Sequence, residues 1–277
     1  MRILTDAHGS APTHRISSRA SVQQALSFLM SSVAPPSSST PPARQLVLDL
    51  GTPPPATFDS FVTAANLEPV ARLRGLNDAL GANEPPSDRT FYLWGDAGSG
   101  RSHLLHALCH ATPAGRARYA GPHSPLAAFG FSPEIAIYAI DDVQALSGAQ
   151  QIALFNLFNE VRAHARHALV VAGNAAPLGL GVRDDLRTRL GWGLVYQIAA
   201  LDDDGKIVAL KNAARDRGIA LADDVPPYLL THFKRDMPSL MTLFDALDRF
   251  SLEQKRAVTL PLLRAMLASP DAGPPAT

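Results

Sequence analysis

The stretch WGDAGSGRSHLLHAL (residues 94–108) decides the fold of this chain of 277 residues. Gly95, Gly100 and Ser102 have the spacing of a phosphate-binding loop, in which a glycine is followed by four residues, a second glycine, a lysine and a serine or threonine. Arg101 occupies the position where lysine is usual. A β-rich run precedes the loop and a segment with helical periodicity follows it. The stretch therefore predicts backbone N–H groups that surround phosphate oxygens at the start of a helix.

The individual loop residues predict nucleotide binding more strongly than hydrolysis. Gly98 and Gly100 permit backbone angles that side chains disfavour, and the Ser102 hydroxyl can reach a Mg²⁺ ion. Arg101 is planar and always charged, so it can hold phosphate through two parallel hydrogen bonds. It is less suited than lysine to contact the phosphoryl group that is transferred. From the loop alone we expect a nucleotide site with poor hydrolysis of its own.

Apolar runs typical of buried strands alternate with helical segments in the middle of the chain, notably the helical segment 149–166. The predicted strands are TFYLW at 90–94, IAIYAIDD at 135–142, HALVVAGN at 167–174 and GLVYQIAAL at 193–201. Strands that alternate with helices form a parallel sheet covered on both faces. We therefore predict an α/β fold, with ligands bound at the carboxyl ends of the strands.

Polar residues end two of the predicted strands. Asp141 is placed to orient a metal ion held by the nucleotide, and Asp142 to orient water. Asn174 is placed to sense the γ-phosphate or to position water. The structural alternatives are helix-capping or solvated aspartates and an asparagine that serves only in a turn.

Three arginines in RDDLRTRLGWG (residues 183–193) precede the last predicted strand. They form either a solvated basic turn or an arginine finger, which is a guanidinium that stabilises transition-state charge on the nucleotide of a neighbouring subunit.

Composition changes divide the chain into segments. Residues 1–43 are rich in serine and proline towards their end and are expected to be a disordered extension. A start codon assigned too early is the open alternative for these residues. After Asp202 the strands stop, and helices are predicted at 203–217, 225–233, 238–251 and 261–268. The predicted organisation is an extension at 1–43, a docking peptide at 44–56, an α/β subdomain at 57–201, a helical subdomain at 202–268 and a tail at 269–277.

The segment RQLVLDL (residues 44–50) interrupts the polar N-terminal region with leucines in alternation. Such a segment is strand-like when it finds a partner. The spacing alone is equally compatible with an edge strand of the following domain and with a short docking peptide.

The overall composition and charge of the chain exclude several classes of protein. The formal net charge is zero and the pI is near 7.1, which is unlike a dedicated nucleic-acid binder. The lone cysteine, Cys109, lies in an apolar helical run and is interpreted as a small buried hydrophobe. His103 and His106 lack further histidine or cysteine ligands at metal-binding spacing, so packing roles are expected. There is no apolar run of about 18 residues, and we expect a soluble, cytoplasmic protein without membrane contact.

Several motifs together resemble the AAA+ module of the bacterial replication initiator DnaA. The matching stretches are GDAGSGRSHLLHAL, IYAIDDVQAL and LRTRLGWGL, and TFDSFV (residues 57–62) resembles the start of that module. The similarity extends over about residues 57–268. The chain does not show the helix-turn-helix domain with which DnaA binds DNA, nor its N-terminal interaction domain, so no direct sequence-specific DNA binding is expected.

The chain is most similar to the Hda family, which inactivates DnaA. Members resemble it in the Arg-Ser form of the loop and in a sliding-clamp-binding peptide of the form Gln-Leu-x-Leu-x-Leu. QLVLDL matches that form through Gln45, Leu46, Leu48 and Leu50. The resemblance therefore favours a docking peptide over an edge strand.

The resemblance also implies roles for individual residues. The residues that would hold the phosphates of ADP or ATP are Gly95, Gly98, Gly100, Arg101 and Ser102. Asp141 would be the Walker B acid, with Asp142 beside it, and would share the Mg²⁺ ion with Ser102. Asn174 falls at the sensor 1 position and Arg189 at the arginine finger. Pro238 stands where the sensor 2 arginine of such proteins is expected, and nearby Arg235 is a candidate substitute.

Three functions follow as hypotheses. The first is an Hda-like regulator that binds the β sliding clamp of DNA polymerase III and uses Arg189 to stimulate hydrolysis of ATP bound to DnaA. It would act in the cytoplasm at the replisome, and a homodimer is an open alternative for its oligomeric state. The second is a self-contained ATPase related to helicase loaders, and the third is a nucleotide-locked adaptor that stimulates no hydrolysis.

Overall fold

The computed structural model describes residues 55–84 and 86–268. The predicted extension at 1–43, the Gln45–Leu50 peptide and the tail at 269–277 lie outside the described residues.

A parallel sheet of five strands forms the centre of the described structure. Its strands are β1 (Thr90–Trp94), β2 (Ala117–Ala120), β3 (Ile137–Ile140), β4 (Ala168–Gly173) and β5 (Leu194–Gln197). They lie in the order β2-β3-β4-β1-β5, and every neighbouring pair is parallel. The predicted α/β fold with a parallel sheet is therefore confirmed.

The edge strand β2 was not among the predicted strands, so the prediction of four strands was incomplete. Its four residues read ARYA, and only Ala120 is buried. Arg118 and Tyr119 therefore interrupt any apolar run, and a strand this short carries no periodic signal. Its pairing with β3, from Ala117 opposite Ile137 to Ala120 opposite Ile140, is what defines it.

Helices cover both faces of the sheet. The helices of the described chain are α1 (Leu67–Arg74), α2 (Leu76–Gly81), α3 (Arg101–Ala111), α4 (Gly148–Ala163), α5 (Asp184–Leu190), α6 (Asp203–Asp216), α7 (Val225–His232), α8 (Met237–Gln254) and α9 (Leu260–Leu267). Alternate residues of β1 point to opposite faces, so Phe91 and Leu93 join the core with α1, α2 and α3. Tyr92 joins the core with α4 and α5.

Cys109 lies partly buried on α3 and packs against the first of these cores, as the sequence predicts. Burial raises the pKa of its thiol to about 11, so the thiol stays protonated at neutral pH. Among the described residues, no helix is long and apolar enough to cross a membrane.

The helices α6 to α9 form a helical subdomain with a core of its own. Its buried residues include Leu210, Leu229, Phe244 and Leu262, all contributed by these helices. Two N-terminal caps explain where its long helices begin, because a carboxylate that accepts from a free backbone N–H stabilises the first turn. Asp202 accepts from Gly205 N at 2.8 Å, and Asp236 accepts from Ser239 N at 2.9 Å.

Asn66 fastens the segment before α1 to the residues that follow β5. Its side chain is only 1% exposed. Its Nδ2 donates to the Ala199 carbonyl at 3.0 Å, and its Oδ1 accepts from Ala199 N at 2.8 Å. This two-point contact closes the N-terminal segment against the edge of the sheet that carries the loop.

Replacement of Asn66 by alanine should lower the free energy of unfolding by about 1–3 kcal/mol, because two backbone groups would lose their partner. Urea denaturation followed by circular dichroism measures this change. Asn156, exposed on α4, provides the control; its replacement by alanine should change the free energy by no more than about 0.5 kcal/mol. Equal effects of the two variants would contradict a fastening role for Asn66.

Candidate nucleotide-binding site

The phosphate-binding loop connects β1 to α3 in a conformation that needs glycine. Gly98 has φ +79° and Gly100 has φ +97°, a region that residues with side chains rarely adopt. Ser99 N donates to the Asp96 carbonyl at 3.1 Å and tightens the turn. Gly100 precedes the first residue of α3, Arg101, so Arg101 and Ser102 lie in the first turn of a helix whose free N–H groups favour an anion.

A cavity of about 400 Å³ adjoins this loop. Its walls come from residues 55–62, the loop and first turn of α3 at 98–103, and the helices α6 and α8. Cavities of this size hold small ligands and cofactors. The loop, the N-terminal segment and the helical subdomain therefore enclose one common site.

Three buried polar atoms that belong to cavity-lining residues have no hydrogen-bond partner among the described residues. They are Ser99 Oγ, Arg101 Nη1 and Arg217 Nε. A buried donor without a partner is unfavourable, and such groups commonly serve a ligand. Two guanidiniums and a hydroxyl suit the phosphates and polar edges of a nucleotide, so the residues present fit this class of ligand.

The loop is closed in from two sides. A β-carbon built on Gly98 would lie 2.7 Å from Pro238 Cδ of α8, and one built on Gly100 would lie 2.6 Å from Phe61 Cε2. Pro238, at the expected sensor 2 position, thus rests directly on the loop.

Arg235, the candidate substitute for sensor 2, does not line the cavity. Its side chain is 63% exposed, and its Nη1 lies 3.4 Å from Asp203 Oδ2. The cation of the helical subdomain that does line the cavity is Arg217, which pairs with Asp245 at 2.6 Å. The sequence interpretation missed Arg217, because an arginine at the end of an amphipathic helix resembles any solvated cation.

Asp141 follows β3 and is 3% exposed. Both of its carboxylate oxygens accept hydrogen bonds within the chain: Oδ2 from the Tyr119 hydroxyl at 2.9 Å and Oδ1 from Asp142 N at 2.9 Å. The Tyr119 ring stacks on His106 of α3, with 4.3 Å between the ring centroids. Burial, followed by the charge of Asp141, raises the pKa of Tyr119, so its hydroxyl remains a donor.

Gln144 connects the other two predicted residues at the carboxyl edge. Its Nε2 donates to Asp142 Oδ1 at 3.0 Å, and its Oε1 accepts from Asn174 N at 3.2 Å. The pairing of Trp94 with Gly173 puts Asn174 beside the start of the loop. The structure therefore brings the loop, Asp141, Asp142 and Asn174 to one edge of the sheet. Of these groups, only loop residues line the cavity.

Arg189 lies on α5, outside the cavity wall. Its guanidinium carbon is 4.0 Å from the centre of the Trp192 ring and 5.4 Å from that of Phe155. The two neighbouring arginines are paired: Arg183 with Asp185 at 2.7 Å, and Arg187 with Asp184 at 2.8 Å. Within the described part of the chain, Arg189 has no carboxylate within 4.0 Å.

Two comparisons establish the family. Residues 203–267 match the family model described as the lid domain of Hda. An uncharacterized protein of Haemophilus influenzae is 32% identical over 237 residues, which are 81% of this chain and 98% of that protein. The chain belongs to the Hda-like, DnaA-related AAA+ proteins. The Hda lid and the DnaA-like fold support a role as a DnaA-related replication regulator.

Solved structures agree with the fold of this Hda-like chain. Domain III of the Thermotoga maritima replication initiation protein DnaA gives a TM-score of 0.60 at 20% identity, over 76% of this chain and 94% of that one. The AMPPCP-bound DnaA of Aquifex aeolicus gives 0.54 at 24% identity, over 72% and 69%. The Holliday junction branch migration motor RuvB of Thermotoga maritima gives 0.57 at 16% identity, over 76% and 70%.

His103 attaches the N-terminal wall of the cavity to α3. Its Nε2 is 2.9 Å from the Thr57 carbonyl and 3.2 Å from Ser60 Oγ. A carbonyl only accepts, so Nε2 carries the hydrogen. Burial lowers the pKa of His103, although the Thr57 carbonyl opposes that shift, and His103 is therefore neutral at pH 7.

The lowered pKa of His103 predicts acid sensitivity. The unfolded chain, in which the pKa is about 6.5, binds the proton more readily than the folded chain. The contribution of His103 to the free energy of unfolding is therefore complete above about pH 6.5. It is lost as the pH falls through the lower pKa of the folded state. Thermal unfolding between pH 7.5 and 5 should show a smaller acid loss for His103→Gln, which keeps a neutral donor. Exposed His123 provides the control His123→Gln; an unchanged profile for His103→Gln would contradict the assignment.

Gly98→Ala should weaken ADP binding by about tenfold or more, because a side chain at this φ carries about 1–3 kcal/mol of strain and would also collide with Pro238. Isothermal titration calorimetry measures the change. Gly181→Ala is the matched control, since a β-carbon there meets nothing within 4 Å. Wild-type affinity in Gly98→Ala would contradict the enclosed loop.

Proposed function

We propose that this chain binds ADP or ATP to fix its own conformation and uses Arg189 to stimulate hydrolysis of ATP held by DnaA. The observation that carries the proposal is the position of Arg189. It is a partly exposed cation without a carboxylate partner in the described chain, and it lies outside the wall of the chain's own nucleotide cavity. An arginine in this position is available to the nucleotide of another subunit.

The chain's own site supports binding without efficient hydrolysis. The unpartnered Arg101 Nη1 and Ser99 Oγ provide donors to phosphate oxygens. When bound with the nucleotide, Mg²⁺ would neutralise phosphate charge, and Ser102 and Asp141 are the residues that would hold it. The donors already on both oxygens of Asp141 must yield or share that carboxylate. This competition disfavours turnover by the isolated chain.

Arg189 would act on charge in the partner's site. As water attacks the γ-phosphorus and the bond to the β-phosphate oxygen breaks, negative charge is redistributed over the oxygens of the transferred group and the leaving phosphate. A guanidinium donates two N–H groups in one plane, so it can contact oxygens on both sides of the breaking bond. The products are DnaA-bound ADP and inorganic phosphate.

We further propose that Gln45, Leu46, Leu48 and Leu50 dock on the β sliding clamp. A glutamine followed by spaced leucines can enter a preformed groove as an extended peptide. Docking would hold the chain at DNA-loaded clamp.

The clamp proposal predicts the result of a pull-down. Combined replacement of Gln45, Leu48 and Leu50 by alanine should abolish capture of the chain by immobilised clamp. Thr52→Ala, in the same segment but outside the motif, is the control. Undiminished capture of the triple variant would contradict clamp docking and favour an edge strand for this segment.

The finger proposal is tested by hydrolysis of DnaA-bound ATP in the presence of DNA-loaded clamp. Arg189→Ala should reduce the stimulated rate by about 10³-fold, the lower end of what arginine fingers contribute. The control Arg187→Ala removes a neighbouring arginine that is already paired with Asp184, and should change the rate by less than about fivefold.

Other outcomes identify the alternative functions. Full stimulation by Arg189→Ala would show that the finger is misassigned. Normal binding of clamp and DnaA without stimulation by the wild-type chain would indicate a nucleotide-locked adaptor. Appreciable turnover by the isolated chain, increased by single-stranded DNA, would indicate a self-contained ATPase.

A further inference from the structure

Trp192 lies on the surface just after α5 and contacts two cations. Its side chain is 53% exposed. The guanidinium carbons of Arg189 and Arg162 lie 4.0 Å and 5.2 Å from the centre of its ring. Both arginines lack a carboxylate within 4.0 Å in the described chain, in contrast to Arg183 and Arg187. An exposed indole that contacts two guanidiniums without carboxylate partners in the described chain calls for an explanation.

The neighbouring core does not supply that explanation. The hydrophobic cluster beneath α4 and α5 includes Phe155 and Leu190 but not Trp192. An indole is the strongest aromatic partner for a guanidinium, and the shorter of the two distances joins it to Arg189. Phe155 lies 5.4 Å from the same guanidinium, so aromatic rings on α4 and after α5 both restrict Arg189.

We propose that Trp192 is a positioning residue that orients Arg189 before a partner binds. This inference rests on the proposed function of Arg189. A free arginine side chain populates many rotamers, and fixing one of them on binding is unfavourable. A ring already in contact with the guanidinium removes much of that cost, and small misplacement of a group that acts on a transition state is strongly felt.

The surroundings of Trp192 indicate what kind of partner this surface receives. Leu178, in the turn at Pro177–Gly179, is 94% exposed. This turn lies beside Gly191, since a β-carbon on Gly191 would be 3.8 Å from Pro177 Cβ. We call Arg162, Leu178, Arg189 and Trp192 the finger surface. Unpaired cations together with an exposed apolar side chain fit a protein that presents a bound nucleoside triphosphate better than they fit a free anion.

A first experiment tests the contact without any partner. Trp94 and Trp192 are the two tryptophans, so Trp94→Phe leaves Trp192 as the fluorophore. Iodide should quench Trp192 more strongly than caesium ions because two guanidiniums attract the anion. Adding Arg189→Ala to this variant should reduce the iodide quenching constant, because one of the two cations is lost. It should increase the acrylamide quenching constant, because more of the ring is then accessible to a neutral quencher. Unchanged constants would overturn the proposed contact.

A second experiment separates positioning from docking in the DnaA assay. Trp192→Ala should lower the maximal stimulated rate by about tenfold to 100-fold, and Trp192→Phe should restore most of it, because phenylalanine keeps a ring for Arg189. Leu178→Ser should instead raise the DnaA concentration that gives half-maximal stimulation and leave the maximal rate unchanged. Arg187→Ala is the control, because Arg187 lies on α5 outside the finger surface and is paired with Asp184; it should change the maximal rate by less than about fivefold.

The outcomes distinguish this inference from the function on which it rests. Loss of stimulation in Arg189→Ala with a wild-type maximal rate in Trp192→Ala would overturn positioning and keep the arginine finger. Full stimulation by Arg189→Ala would overturn both, while the quenching data would still report the contact itself. Wild-type ADP binding by Trp192→Ala shows that this variant is folded. If Trp192→Ala does not fold, the maximal rate of Trp192→Phe tests the positioning role instead.

Discussion

Gly98 and Gly100 are confined between two walls, Pro238 on one side and Phe61 on the other, and the rest of the site depends on this confinement. A β-carbon at either position would lie within 2.7 Å of a wall atom. The positive φ angles and the close walls together restrict both positions to glycine. The same contacts bring the N-terminal segment and the helical subdomain onto the loop, so one steric constraint assembles all three sides of the cavity.

Hydrogen bonds extend this arrangement along the carboxyl edge of the sheet. Tyr119 holds Asp141 from β2, and Gln144 joins Asp142 to the backbone of Asn174. The three strand ends concerned belong to neighbouring strands in the order β2-β3-β4. These polar contacts thus link the carboxyl ends of three neighbouring strands, while Arg189 lies on α5 and contacts the Trp192 ring. The groups around the candidate nucleotide cavity are thus separate from Arg189, the cation that we propose acts on a partner.

Local patterns in the sequence predicted most of the fold. Signals within a few consecutive residues mark the glycine loop, the apolar runs of β1, β3, β4 and β5, and the four C-terminal helices. The sequence did not reveal β2, nor the contact of Tyr119 with Asp141, because the two residues are 22 positions apart and meet only through strand pairing. Arg217 was missed for the same kind of reason: only tertiary packing distinguishes a cavity-lining arginine from a solvated one.

The contact between Pro238 and the loop has a consequence for what the helical subdomain can detect. A proline side chain has no charge and no hydrogen to donate, so its contact with Gly98 is van der Waals in nature. The one cavity-lining arginine of the described subdomain, Arg217, already has Asp245 and Asp248 as counter-ions. At this contact the subdomain can therefore respond to the shape of the loop at Gly98, but the proline itself cannot respond to the charge of a phosphate.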